Sequence, residues 1–278
     1  MHTASLLPAL PILASHGARI LQSNDDGGAE LYIRSFNDAL NKAGHDVVLS
    51  APAENKSGTG EFTHAPFSSP GRIYSRSSAD SIDLEPEPRT DSCEYNSCPA
   101  NSGPIGTNKT NTRLNWVNSF PVTSARYGID IFGPLIWDGE GPELVVSGPN
   151  VGSNLWVQVP FSGTAGVAVY ASHAAQIPGI AFSAASGGWL ALKHISRSAR
   201  SLVYAQLATQ LTNAILASGK SHDVETCGGT RLPTETSVLR GGGCRIAVSV
   251  GESRYKTTAA ADKQAVVLKK LGSMLTCV

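Results

Sequence analysis

Charge is scarce in this chain of 278 residues. Asp, Glu, Lys and Arg make up 16% of it, and 22 acidic residues balance 22 basic ones. With no net charge there is no electrostatic pull toward a nucleic-acid backbone or an anionic membrane. A small phosphorylated ligand needs only local positive charge or a metal and stays compatible. Long apolar runs are missing too: beyond the N-terminus nothing approaches the roughly 20 apolar residues that cross a bilayer. There is no Gly-x-x-x-x-Gly-Lys-Ser/Thr loop and no Gly-x-Gly-x-x-Gly after a strand, which argues against a P-loop or dinucleotide role. The Gly-x-Ser-x-Gly elbow of serine hydrolases is absent, as are His-Glu-x-x-His and any Cys/His zinc spacing. His45, His64, His173, His194 and His222 therefore read as structural or exposed.

The first 17 residues hold an apolar stretch, Ala4–Ala14, that ends in small residues. We expect residues 1–17 to be a signal peptide, although no Lys or Arg precedes the run and Pro8 and Pro11 interrupt it. The cysteines agree with an oxidising, secreted setting. Cys93 and Cys98 bracket a short polar loop without a neighbouring His, which reads as a disulfide. Five cysteines leave one thiol over; Cys227 and Cys244 are the next pair, with Cys277 competing for either partner.

The remainder, 18–278, reads as one domain. Ala18–Ser23 is a short apolar strand; apolar residues at Leu31, Ile33, Phe36, Ala39 and Leu40 follow at helical spacing, closed by Gly44. Asp46–Ala51 is a second strand, so the unit is βαβ with a right-handed crossover. Residues 61–113 form a polar insertion carrying the disulfide loop and room for a hairpin. Further strands are expected at Leu114–Asn118, Glu143–Ser147 and Gly179–Ser183. Helices are expected from Pro121 toward Phe132, from Ser162 to Ala175 and over Arg197–Ala217. Residues 218–278 are a Gly-rich C-terminal extension with a strand at Arg245–Val250. The fold class is α/β: an open, mostly parallel, Rossmann-like sheet with helices on both faces.

In such sheets ligands bind beyond the carboxyl ends of the strands, and the polar clusters fall there. Asp25 and Asp26 end the first strand; adjacent carboxylates repel, and a hard divalent cation such as Mg²⁺ or Mn²⁺ resolves the repulsion. A turn with a helix cap accounts for the same dipeptide without a ligand. Ser57 and Asn150 offer a hydroxyl and an amide carbonyl that complete an all-oxygen site, and Asn154 lies in the same loop as Asn150. Ser162-Gly163-Thr164 opens a helix, whose free N–H groups suit a phosphate. Asp25 or Asp26 is also the candidate catalytic base.

Taken in order, these motifs resemble the survival protein SurE family, and within it the secreted fungal branch. The resemblance rests on Asn24-Asp25-Asp26-Gly27, Ser57-Gly58-Thr59-Gly60, Val145–Asn154, Ser162-Gly163-Thr164 and Ile177–Ser183, and spans roughly residues 18–190. It implies a metal-dependent phosphomonoester hydrolase of the acid phosphatase or 5'(3')-nucleotidase type, in which a divalent cation activates water. Its metal positions fall on Asp25, Asp26, Ser57 and Asn150, and its phosphate positions on Asn154, Ser162, Gly163 and Thr164. It implies a nucleoside monophosphate or other phosphomonoester as substrate, and a dimer or tetramer. The alternatives are a member repurposed for a non-nucleotide substrate and a non-catalytic secreted binding protein.

Overall fold

A strand buried on both faces sends successive side chains to opposite sides, and that alternation decides which helices each face receives. A computed structural model describes residues 17–60, 86–184, 198–217, 234–240 and 245–275. In it β1 (Arg19–Ser23), β2 (Asp46–Pro52) and β5 (Leu144–Asn150) form the parallel centre of the sheet. Leu21, Val48 and Val145 point to one face. There they meet Ala125 of α2 (Pro121–Tyr127) and Val167 and Ala171 of α4 (Gly163–His173). Ile20, Val47, Leu144 and Val146 point to the other, against Phe36 and Leu40 of α1 (Leu31–Lys42) and Ala205 and Ala208 of α5 (Ala199–Leu216). Tyr32 and Tyr204 join α1 to α5 edge to face, with ring centroids 5.4 Å apart.

The sheet has six strands in the order β3-β4-β2-β1-β5-β6, where β4 is Asn111–Val117 and β6 is Gly179–Ser183. All pairs are parallel except β3 (Ile105–Asn108) with β4. Sequence reading expects 61–113 to be a polar insertion with the disulfide loop and room for a hairpin. In the structure 105–108 and 111–117 form such a hairpin, which makes β3 the antiparallel edge of the sheet and starts β4 before Leu114. The Asn108–Asn111 turn makes this possible, with Asn108 Oδ1 accepting the Thr110 N–H at 2.9 Å. Residues 61–85 of that stretch lie outside the described residues.

The helix expected from Pro121 toward Phe132 is present: α2 continues through one wide helical turn, Gly128–Phe132, into α3 (Gly133–Ile136). The C-terminal extension departs from expectation. Residues 245–250 are not a strand: Ile246 and Val248 are exposed and no partner strand lies beside them among the described residues. An alternating pattern without an edge to pair with has no ladder to join. The described part of the extension holds α6 (Glu235–Arg240), a hairpin of β7 (Gly251–Glu252) with β8 (Thr257–Thr258), and α7 (Ala261–Leu271). The N-terminal leader, Cys227, Cys244 and Cys277 lie outside the described residues. No described helix is long and apolar enough to cross a membrane.

Candidate functional site

Because β1, β2 and β5 are parallel neighbours, their carboxyl ends open on one side, and the turns that follow them converge. β1 runs into Asn24-Asp25-Asp26-Gly27. Gly27 takes φ +92°, a backbone region that side chains disfavour. That turn leaves both carboxylates inside the protein, Asp25 2% exposed and Asp26 1%.

Each aspartate is gripped from a different element. The Thr164 hydroxyl donates to Asp25 Oδ1 at 2.7 Å, and the Thr164 N–H donates to Oδ2 at 3.1 Å. The Gly163 N–H also acts on this carboxylate. A Cβ on Gly163 would fall 2.8 Å from Asp25 Cβ and 2.8 Å from Pro121 Cγ. The N-terminus of α4 thus closes on an internal anion, which its dipole favours. Burial pushes the Asp25 carboxyl above the usual carboxylate range, and the Thr164 and Gly163 hydrogen bonds only partly offset this.

Asp26 meets the other two turns. The Ser57 hydroxyl donates to its Oδ1 at 3.2 Å, and the Val151 N–H donates to its Oδ2 at 2.7 Å. The turn after β2 is pinned in turn, since the Lys56 N–H donates to the Asp25 carbonyl at 2.7 Å. Lys56 directs its ammonium away, to Glu54 at 2.7 Å. Asn150 joins through Thr164, whose Oγ1 lies 3.4 Å from Asn150 Oδ1. Its amide nitrogen donates to the Gly152 carbonyl at 2.9 Å, which leaves the carbonyl oxygen to face the cluster.

The structure therefore gathers Asp25, Asp26, Ser57, Asn150, Gly163 and Thr164. It uses two of the expected phosphate contacts differently: the Gly163 and Thr164 N–H groups face Asp25. The Ser162 hydroxyl caps its own helix by accepting the Ala165 N–H at 3.0 Å. The Asn154 amide donates to Ser183 Oγ at 2.8 Å. Two side chains not anticipated from sequence, Glu94 and Tyr95, approach from the disulfide loop, where Cys93 and Cys98 are bonded. Glu94 Oε2 lies 2.7 Å from the point a Gly27 Cβ would occupy. Nothing local in the sequence says where that loop docks.

The donor set suits a hard divalent cation: two carboxylates, a hydroxyl and an amide carbonyl, all oxygen. Among the described residues no three of His, Cys, Asp and Glu gather into a metal cluster. Buried Asn24 has neither amide atom hydrogen-bonded, and the buried Ser23 and Ser147 hydroxyls are likewise unmatched. Such groups cost about 1–3 kcal/mol each when left so, and they cluster where a polar partner is due.

The protein is of the open, mostly parallel α/β class, and its paired, buried carboxylates and neutral oxygens gather beyond adjoining strand ends, where sheets of this class bind ligands. The family model for survival protein SurE matches residues 20–238, and the chain belongs to that family. It is similar to an acid phosphatase of Yarrowia lipolytica, 30% identical over 203 residues, covering 72% of this chain and 51% of that protein. A 5'-nucleotidase SurE of Gloeobacter violaceus is 32% identical over 171 residues, covering 60% of this chain and 50% of that protein. The chain thus spans about half the length of these curated relatives. A crystal structure of a SurE protein from Aquifex aeolicus aligns with TM-score 0.44 and 24% identity, over 70% of this chain and 60% of that one.

Proposed function

We propose that this protein hydrolyses phosphomonoesters, as an acid phosphatase or 5'(3')-nucleotidase, with a Mg²⁺ or Mn²⁺ ion held by Asp25, Asp26, Ser57 and Asn150. One observation carries the reading: Asp25 and Asp26, buried side by side, are reached by Thr164, Ser57 and the Val151 N–H from three separate elements. Membership of the SurE family and the similarity to a named acid phosphatase and a named 5'-nucleotidase support it.

When bound, a divalent cation supplies Lewis-acid chemistry, polarising a phosphoryl oxygen and acidifying water. The protein's own groups do the rest. Thr164 fixes the rotamer of Asp25 by gripping both oxygens, and the Val151 N–H and Ser57 hydroxyl do the same for Asp26. An aspartate not wholly engaged in binding the cation accepts the proton of the attacking water. The Ser162 oxygen accepts from the Ala165 N–H, so its O–H remains to donate to a phosphoryl oxygen. Asn154, at the rim, offers a second donor. Negative charge that develops on phosphate is thus met by hydroxyl and amide groups already in place. The bonded Cys93–Cys98 pair supports a secreted location, and a homo-oligomer is the expected assembly.

The test is hydrolysis of p-nitrophenyl phosphate by the purified full-length chain with Mg²⁺ or Mn²⁺ added, then with chelator. Turnover that needs the metal and stops with chelator is expected. Turnover indifferent to chelator, or none with any divalent ion, overturns the reading. A panel of nucleoside monophosphates and sugar phosphates then defines the substrate.

A further inference from the structure

The disulfide loop is docked rather than dangling. Cys93 and Cys98 are buried against Ala53, with Trp116 packed over them. The Glu94 N–H donates to the Ala53 carbonyl at 3.0 Å, and Ala53 is itself held to β4 by a 2.9 Å bond from its N–H to the Val117 carbonyl. Tyr95 and Asn96, at φ +56° and +55°, both take the left-handed region, which bends the loop sharply within the bridge.

That bend sends the Glu94 side chain into the gap between two turns of the site. Its Oε2 is buried and lies 2.7 Å from the place a Gly27 Cβ would take, and the Asn55 nitrogen lies 3.4 Å from the same point. The Asn55 backbone and the Tyr95 phenol lie beside the Glu94 carboxylate, whose Oε2 is buried with no hydrogen-bond partner among the described residues. One carboxylate therefore wedges the turn carrying Asp26 against the turn carrying Ser57. Within the second turn Asn55 Oδ1 accepts the Ser57 N–H at 2.8 Å, so moving Asn55 moves Ser57.

We propose that Glu94 is a positioning residue that sets the spacing of the Asp26 and Ser57 oxygens, with the Cys93–Cys98 bridge holding it in register. The inference rests on the metal-site reading above. Glu94 does not itself ligate; it acts through Asn55 and Gly27. Because the wedge needs the length of the side chain and not its charge, Gln serves where Ala does not. Burial pushes the Glu94 carboxyl up, and burial together with the nearby Glu94 carboxylate pushes the Tyr95 phenol up to about 12, so Tyr95 remains a donor throughout the working range.

The experiment compares the full-length oxidised protein with Glu94→Ala and Glu94→Gln. The readouts are Mn²⁺ titration by calorimetry on chelator-stripped samples, kcat and KM against Mn²⁺ concentration, and the metal-free melting temperature. Glu94→Ala is expected to weaken Mn²⁺ binding about tenfold, the range seen when partners of metal ligands are removed. The Mn²⁺ concentration for half-maximal rate should rise in step, substrate KM at saturating Mn²⁺ should hold, and Glu94→Gln should restore wild-type affinity. If Glu94→Ala does not fold, the Cys93→Ser/Cys98→Ser double variant, which frees the loop with Glu94 in place, must show the same shift. Wild-type Mn²⁺ affinity in Glu94→Ala, or in the double variant, overturns the inference while leaving the metal site standing. A wild-type protein that neither binds nor needs Mn²⁺ or Mg²⁺ overturns both.

Discussion

The two ends of the sheet treat their acids in opposite ways. At the amino ends, Asp46 is paired with Arg113 and accepts the Trp137 indole N–H at 2.8 Å. Arg19 donates its backbone N–H to Glu143 at 2.8 Å and lies 3.8 Å from Glu140. There acid meets base near the surface, and the charges cancel locally. At the carboxyl ends Asp25 is buried and met among the described residues by a hydroxyl and N–H groups. Neutral donors orient a carboxylate without cancelling its charge. One end pairs its acids with bases, and the other meets its acids with neutral donors, as the proposed metal site requires.

The largest expected effect breaks that contrast directly. Asp26→Asn removes one charge at nearly constant shape: its carbonyl oxygen can accept the Val151 N–H, and its amide can donate to the Ser57 oxygen. Phosphatase activity should fall by roughly a thousandfold or more, since the ligand charge is lost. The metal-free variant should be as stable as wild type, or more so by about 1 kcal/mol, because like charges no longer share the turn. Thermal melts with and without Mn²⁺ check this: the ion should raise the wild-type melting temperature and move the variant much less. A fully active Asp26→Asn protein would end the metal-site reading.

A smaller effect concerns pH. Burial raises the Asp25 carboxyl, so the folded metal-free protein holds a proton that the unfolded chain has already released. Stability is then greater on the acid side and declines as pH rises above the ordinary aspartate range through the raised value. Asp25→Asn has no such group, so the wild-type curve should fall relative to the variant over that window. Urea melts of chelator-treated protein across the acidic range measure it, and parallel curves would show that Asp25 does not carry the penalty. Saturating Mn²⁺ should flatten the wild-type decline.

The smallest effect belongs to the other end. Arg113→Met breaks a half-exposed ion pair and should cost about 0.5 kcal/mol, with kcat and KM unchanged. A loss of activity here would mean that the two ends are coupled.

Much of the site was legible in the sequence because its parts sit at strand ends, and strand ends can be read from apolar runs and their stops. Asp25, Asp26, Ser57 and Asn150 each follow or close a strand, and a parallel sheet brings such points together. The contact of Gly163 and Thr164 with Asp25 was not legible, because the sequence shows a helix start but not what lies opposite it. A helix start attracts an anion, and here that anion is Asp25. Glu94 was not legible at all, since its place depends on where a loop from an unpatterned stretch folds back. The strand expected at 245–250 shows the reverse failure: local alternation was present, but strand formation needs a partner edge that composition cannot supply.

Gly163 has a consequence for how this protein can change over generations. A side chain there would press on Asp25 and on Pro121 at once, so the position resists substitution unless the turn after β1 and the helix α2 shift together. The centre of the site is consequently locked as a block, open to drift only through coordinated change. Side chains of the neighbouring segment are less confined. Trp156, Val157 and Phe161 stand exposed at 79%, 71% and 61%, between Asn154 and the α4 cap. Side chains exposed in this way leave variation its freest room at the rim.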